Sequence, residues 1–235
     1  MDISHRLFEK VFELMWGIVI KIITFWTAND WTGKCSGMKN PKRKTKRLII
    51  RALADKDFMV WRQAYLQMNQ PKNTWDHGPK KASEVTRADF NKILGAQKKM
   101  RREDKFYDLA IFNFSGELVG FVAIMEVARG ISQTAYLGYR IFNNYWRSGY
   151  GKEAVRAMID IGFREIKLHR IEAGIEPGNI RSMKLARSLG MRREGLKKRA
   201  LFLRGMWVDL IMYTLTTEDF GIKFDTKSLK HKLRA

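Results

Sequence analysis

The sequence predicts a mixed α/β fold: a mostly antiparallel sheet with a central crossover helix and flanking helices. Segments rich in β-branched and aromatic residues predict strands, and they occur in an early and a late group. Between the groups, apolar residues recur at three- and four-residue steps over one long segment, which predicts a helix connecting two parallel strands. A chain of 235 residues with 45% hydrophobic side chains can bury such a core.

The first part of the chain predicts a strand and a pair of helices. Residues 48–50 are a short apolar run that favours a strand. Residues 55–69 and 87–101 each place their apolar side chains on one face of a helix. His77 lies in the connecting loop, where it either faces a substrate or is simply solvated.

Three strands and a turn follow the helical pair. The aromatic and β-branched runs 106–114 and 117–127 meet at Ser115 and Gly116, a junction typical of a hairpin. After a second turn at Arg129 and Gly130, residues 135–142 predict a third strand.

The second part predicts a crossover helix, a strand, a short helix and a final hairpin. The long periodic segment leads to a strand at residues 169–176. Asn179 is a good N-cap for the next helix, because its side-chain oxygen can accept from a backbone amide. Strands near residues 192–203 and 207–216 then complete the sheet.

The turn that opens the crossover helix carries the chemical signal. Gly149 and Gly151 allow a tight turn that exposes successive amide groups at a helix N-terminus, and Arg147 and Lys152 add positive charge. This pattern favours an anion site. It lacks the Gly-Lys-Ser/Thr of the Walker loop and the third glycine of the dinucleotide fingerprint.

The turn resembles the coenzyme A pyrophosphate loop of the GNAT N-acetyltransferases, whose pattern is Arg/Gln-x-x-Gly-x-Gly/Ala. Gly149 and Gly151 fill the last two positions, and Trp146 stands where Arg or Gln is usual. Trp146, with the Glu-Ala pair after the loop, is similar to the RimJ/RimL branch, which acetylates ribosomal-protein N-termini at alanine or serine. Further matching motifs occur, in the family's order, at residues 47–51, 136–139, 179–182 and 188–195.

The resemblance implies acetyl-CoA as co-substrate and direct attack by an amine in a ternary complex, without a covalent intermediate. Ser182 would protonate the leaving thiolate. No clustered His, Asp and Glu residues suggest a metal site, and we expect none. The resemblance places these residues against the coenzyme: Tyr139, Arg140, Ile141, Arg147, Ser148, Gly149, Tyr150, Gly151, Lys152 and Asn179.

The general base has no clear candidate in the sequence. Some relatives in this branch carry a glutamate on the penultimate strand, where this chain has Leu201. Glu126 and Glu172 lie on predicted strands that could line the site, and Glu176 ends one. Each could instead be an ordinary surface residue, and a water chain leading to a carboxylate or a carbonyl is an equal alternative.

The charge of the chain is extreme and unevenly placed. The formal net charge is +21, yet residues 1–37 hold four basic and four acidic side chains, so the excess belongs to the remainder. Such a field attracts polyanions, which include coenzyme A and RNA, and repels polycationic substrates. The basic segments 39–47 and 223–234 are either solvated or in contact with ribosomal RNA.

We divide the chain into an apolar extension (1–37), a basic arm (38–46), a GNAT domain (47–221) and a basic tail (222–235). The longest charge-free run of the extension is too short to span a bilayer, so we expect no transmembrane segment. The extension is an amphipathic helix on a membrane or partner, an arm packed on the domain, or a non-native addition before a start at Met38. We favour the last alternative.

The combined interpretation is an acetyl-CoA-dependent N-acetyltransferase that acts on a protein N-terminal α-amine, with a ribosomal protein as acceptor. Acetylation of small amines such as polyamines or aminoglycosides is a second hypothesis, and a non-catalytic protein associated with ribosomes or RNA is a third. A single cysteine, Cys35, excludes an internal disulfide and suits the cytoplasm. We expect a monomer or a dimer.

Overall fold

The computed structural model describes residues 40–226, which form one eight-stranded sheet with helices on both faces. The strands are β1 (Lys42–Lys44), β2 (Leu48–Arg51), β3 (Tyr107–Asn113), β4 (Leu118–Ala128), β5 (Thr134–Ile141), β6 (Arg170–Ile175), β7 (Arg192–Leu203) and β8 (Met206–Thr216). The α-helices are α1 (Phe58–Leu66), α2 (Arg87–Arg102), α3 (Tyr150–Arg164) and α4 (Ile180–Ser188).

The strand order across the sheet is β1-β2-β3-β4-β5-β6-β8-β7. All neighbours are antiparallel except β5 and β6, which α3 connects in parallel. The predicted fold class is therefore confirmed. The predicted strands and helices also occur, with their ends shifted by at most a few residues.

Two hydrophobic cores lie on opposite faces of the sheet. One packs α3 and α4 against the sheet, with side chains such as Leu137 and Met158. The other packs α1 and α2, with Trp61 and Phe90 among its buried aromatics. Because successive side chains of a strand point to opposite faces, each residue of β5 and β6 faces only one of these layers.

β1 corrects part of the sequence analysis, which took residues 39–47 as a segment that is either solvated or in contact with ribosomal RNA. Lys42–Lys44 pairs with β2, and the guanidinium of Arg43 lies 3.0 Å from Asp160 and 2.6 Å from Glu165 on the α3 side. A basic run can form an edge strand when distant carboxylates neutralise it. The contact of these basic segments with RNA stays a prediction.

Parts of the sequence analysis fall outside the described residues. These are the extension at residues 1–37, the proposed start at Met38, and residues 227–235 of the basic tail. Between residues 40 and 226, no helix has both the length and the apolar character needed to cross a membrane.

Candidate active site

The turn between β5 and α3 has the backbone geometry of an anion-binding loop. Gly149 occupies the N-terminal cap of α3 with a φ of +76°, and the φ of Arg147 is +67°. A residue with a Cβ rarely adopts such a conformation, so position 149 favours glycine. Within residues 40–226 no side chain caps α3. The first amide groups of the helix can therefore bind an anion.

The second glycine of the loop has a looser requirement. A Cβ at Gly151 would lie 3.5 Å from Ile141 Cγ1 and 3.6 Å from Leu185 Cδ2, which are ordinary contacts. Of the remaining predicted loop residues, Ser148 and Lys152 are exposed and Tyr150 is half-buried.

Trp146 joins the loop to the end of β5. Its Nε1–H donates to the carbonyl oxygen of Ile141 at 2.8 Å. The guanidinium of Arg181, near the start of α4, lies 4.5 Å from the centre of its ring. This cation–π contact brings a positive charge from α4 toward the loop, a contribution that the sequence pattern did not reveal.

Arg47, which precedes β2, also supports this loop, and the sequence analysis missed this role. Its Nη1 donates to the carbonyl of Ser148 at 2.7 Å, and its Nε lies 2.8 Å from Glu153 on the first turn of α3. Its guanidinium also stacks 4.9 Å from the ring centre of Tyr150. Burial would raise the pKa of Glu153, but hydrogen bonds from Thr45 and Arg47 outweigh it and lower the pKa.

The strands β5 and β6 separate beside this loop. Their parallel pairing covers only Thr134–Tyr136 against Arg170–Glu172. Farther along, β5 continues to pair with β4, and β6 continues to pair with β8. Beyond this pairing, the facing backbone edges of β5 and β6 are not hydrogen-bonded to each other. Their amide and carbonyl groups can therefore bind an extended ligand.

Ser182 lies beside this gap, on the first turn of α4. Asn179 caps the helix, since its side-chain oxygen accepts from the Ser182 amide at 3.2 Å. The hydroxyl of Tyr139, on β5, lies 2.6 Å from Ser182 Oγ. Burial raises the pKa of Tyr139 to about 12, although the hydrogen bond to Ser182 opposes the rise.

The side chain of Arg140 points to the other face of β5. Its guanidinium lies 5.4 Å from the ring centres of both Tyr65 and Phe142, within the α1 and α2 layer. Only the backbone of Arg140 can therefore contribute to the cleft in the way that the sequence analysis expected.

Charged residues gather on the α1 and α2 side of the strand gap. Glu126 occupies a bulge of β4 with a φ of +51° and is exposed as a residue, but desolvation of its carboxyl group raises its pKa against the charge of Lys197. Lys197 Nζ donates to the hydroxyl of Tyr136 at 3.0 Å. Glu172 is bound instead by Arg170, whose Nε lies 2.6 Å from its carboxylate.

A contact between three segments closes one end of this region. Trp75, in the loop between α1 and α2, donates through Nε1 to Glu176 at 2.9 Å, and Arg204 in the β7–β8 turn forms an ion pair with the same carboxylate. The Trp75 ring packs on Gly178, where a Cβ would lie only 2.8 Å from Cη2. His77 follows in the loop, and burial and the charge of Arg140 lower its pKa to about 4.

A family model described as an acetyltransferase (GNAT) domain matches residues 47–192, which is more than half of the chain. The chain belongs to the GNAT acetyltransferases. It is an N-acetyltransferase, and the acetyl donor of this family is acetyl-CoA.

Similar proteins agree with this assignment. The uncharacterized N-acetyltransferase YnaD of Bacillus subtilis is 30% identical over 75% of this chain and 98% of its own length. The [ribosomal protein uS5]-alanine N-acetyltransferase of Escherichia coli is 29% identical over 80% of this chain and 97% of its own. A solved Vibrio cholerae structure, proposed to be a ribosomal-protein-serine acetyltransferase, is 28% identical with a TM-score of 0.61, covering 74% of this chain and 97% of that one.

The cleft of this GNAT acetyltransferase suits the chemistry of acetyl-CoA. The glycine turn at the start of α3 offers backbone amides to a pyrophosphate group, with Arg47, Arg147 and Lys152 on the same loop or beside it. The separated edges of β5 and β6 offer hydrogen-bonding groups to the amides of a pantetheine arm. We expect the coenzyme to bind at these two features, and the individual residue roles stay predictions.

Proposed function

We propose that this GNAT acetyltransferase transfers an acetyl group to the α-amine of a protein N-terminus, and that its acceptor is a ribosomal protein. The charge balance of the acceptor side of the strand gap carries the proposal. The similarity to the uS5-alanine N-acetyltransferase supports it.

Two glycines lie on the acceptor side of the strand gap. Gly138 of β5 and Gly174 of β6 each lie two residues beyond the last paired residues, Tyr136 and Glu172. Side chains two apart point to the same face, so both glycines belong to the α1 and α2 side. A Cβ at Gly174 would lie only 2.8 Å from Leu210 Cδ1, so the glycine lets the Leu210 side chain of β8 pack against β6 at the gap.

The charge balance of the acceptor side disfavours a polycation. Three carboxylates belong to this region, and each has a basic neighbour. The negative charges of Glu126 and Glu172 help to raise the pKa of Lys197, and Glu176 forms an ion pair with Arg204. A polyamine would need uncompensated carboxylates to hold its several ammonium groups. A single α-ammonium must lose its proton before transfer, so it needs only one carboxylate, which accepts that proton.

The residues of the cleft divide the work of transfer. The loop at Gly149 and the edges of β5 and β6 hold the thioester near the acceptor, which supplies the benefit of proximity. Ser182 gives a proton to the sulfur that leaves. The acceptor ammonium loses a proton to a base on the opposite side, and the free amine forms a C–N bond to the acetyl carbon while the C–S bond breaks. The nitrogen then loses a second proton, so one proton ends on sulfur and one is released to solvent.

We assign the base to Glu126 in preference to Glu172. The raised pKa of Glu126 makes it the stronger proton acceptor, while Arg170 holds the Glu172 carboxylate in an ion pair. Glu126→Gln should lower kcat/KM for the acceptor on the order of 100-fold and remove its acidic pH limb. Glu172→Gln should keep that limb. An unchanged pH profile in Glu126→Gln would exclude the assignment and favour a water chain.

The acceptor class is tested by comparing three amines at equal concentration. These are a peptide with a free N-terminal alanine or serine, the same peptide with a blocked terminus and an internal lysine, and spermidine. Release of the coenzyme thiol is the readout. We expect turnover with the free terminus alone. Faster turnover of spermidine would refute the proposal, and equal turnover of the blocked peptide would show that the enzyme acts on lysine.

A further inference from the structure

The hydrogen bond between Tyr139 and Ser182 assigns a role to Tyr139 that goes beyond coenzyme contact. Tyr139 lies on the part of β5 that has separated from β6, and its side chain points to the α3 and α4 layer. There its hydroxyl reaches two oxygens of one residue: Ser182 Oγ at 2.6 Å and the Ser182 carbonyl at 3.3 Å.

The 2.6 Å contact between the two hydroxyls allows either one to donate. Hydrogen bonds between hydroxyl groups are commonly about 2.7–2.8 Å long, and contacts beyond about 3.0 Å are weak. The carbonyl can only accept, so a proton on Tyr139 would choose between the carbonyl and Ser182 Oγ. Donation to Oγ uses the shorter contact, whereas donation to the carbonyl leaves Ser182 to donate to Tyr139. In the first arrangement the proton of Ser182 is free to point away from Tyr139.

We propose that Tyr139 is a positioning residue that donates its hydroxyl proton to Ser182 Oγ and so directs the serine proton toward the leaving sulfur. Without this donor, Ser182 could turn its own proton to another acceptor near α4. The inference rests on the proposed role of Ser182. Asn179 holds the serine backbone and Tyr139 holds its hydroxyl, so the group is fixed at both ends.

The same bond stabilises the charge that develops during transfer. As the proton passes to sulfur, the Oγ–H bond breaks, its electron pair stays on Oγ, and an S–H bond forms. Oγ then regains a proton from solvent, which receives one from the acceptor ammonium by way of the base. Because burial holds the pKa of Tyr139 near 12, the phenol keeps its own proton and acts as a donor throughout.

A double-mutant cycle tests the proposal with the full chain. Tyr139→Phe retains the ring and removes only the hydroxyl. It should lower kcat about tenfold, the effect of one hydrogen bond to a developing charge, with the Kd for coenzyme A within twofold of wild type. Ser182→Ala should lower kcat more. In the Ser182→Ala background, Tyr139→Phe should have no further effect, because its target oxygen is absent.

Tyr107→Phe is a matched control on β3. It removes a hydroxyl that bonds Asp104, on a strand that β4 separates from β5, and should keep kcat at wild-type level. Additive losses in the cycle, or an unchanged kcat in Tyr139→Phe beside a reduced one in Ser182→Ala, would overturn the role of Tyr139 and leave the proposed function intact. Full activity in Ser182→Ala would overturn both roles. The cycle runs with whichever amine is turned over, so its outcome does not depend on the acceptor class.

Discussion

Replacing Gly149 by valine separates the role of the loop backbone in coenzyme binding from its role in folding. With a φ of +76°, a residue carrying a Cβ pays roughly 1–2 kcal/mol to hold this conformation. The new Cβ would also lie 3.1 Å from Arg47 Nη2, the group that supports the loop. The free loop can relax, whereas the ligand needs the original amide positions. The strain therefore subtracts from binding, and we expect at least a tenfold rise in Kd, or about 1.4 kcal/mol.

Isothermal titration calorimetry with coenzyme A measures this effect, and two glycines of the same chain provide controls. Gly151→Ala makes only ordinary contacts and should bind within twofold of wild type. Gly116→Val has the same strain, at a φ of +83° in a hairpin turn with open space around it. It should lower the melting temperature and leave the Kd unchanged. An unaltered Kd for Gly149→Val would refute the loop assignment.

Two other substitutions test contacts that only the structure reveals. Arg47→Gln removes the ion pair with Glu153 and the stacking on Tyr150, and should weaken coenzyme binding about threefold to tenfold in calorimetry; unchanged binding would mean that Arg47 only holds β2 in place. His77 has a pKa lowered from 6.5 to about 4, so the unfolded chain takes up its proton first as the pH falls. The stability from neutral His77 is complete above pH 6.5 and is lost as the pH falls toward 4, by about 3 kcal/mol at most. In urea denaturation at several pH values, His77→Gln should lose stability less steeply across this window than wild type, and parallel curves would contradict the burial of the imidazole.

Most of the fold could be predicted from the sequence because its signals are local. Apolar spacing identifies α1, α2 and α3, and the glycine at position 149 predicts a tight turn with a positive φ. β1 could not be predicted, since its basic residues gave the pattern of a solvated segment. Only the carboxylates of Asp160 and Glu165, more than a hundred positions away, make an edge strand of it.

The site shows the same division. The glycine loop and the helix that starts at Asn179 follow from short motifs, so the coenzyme path could be proposed in advance. Arg47 supports that loop through contacts with residues distant in the sequence, and no sequence pattern predicts such contacts. The direction of the Arg140 side chain, and the proximity of Tyr139 to Ser182, depend on how β5 packs against two different layers.

The most direct test of the central claim is the intact mass of ribosomal proteins incubated with acetyl-CoA, with and without the enzyme, followed by mapping of the modified residue. The account predicts the gain of one acetyl group on one or a few proteins, located at the N-terminal α-amine and much reduced when Ser182→Ala replaces the wild type at equal time. Acetyl groups on lysine side chains, or no change in any ribosomal protein while a small amine is acetylated in the same reaction, would contradict it.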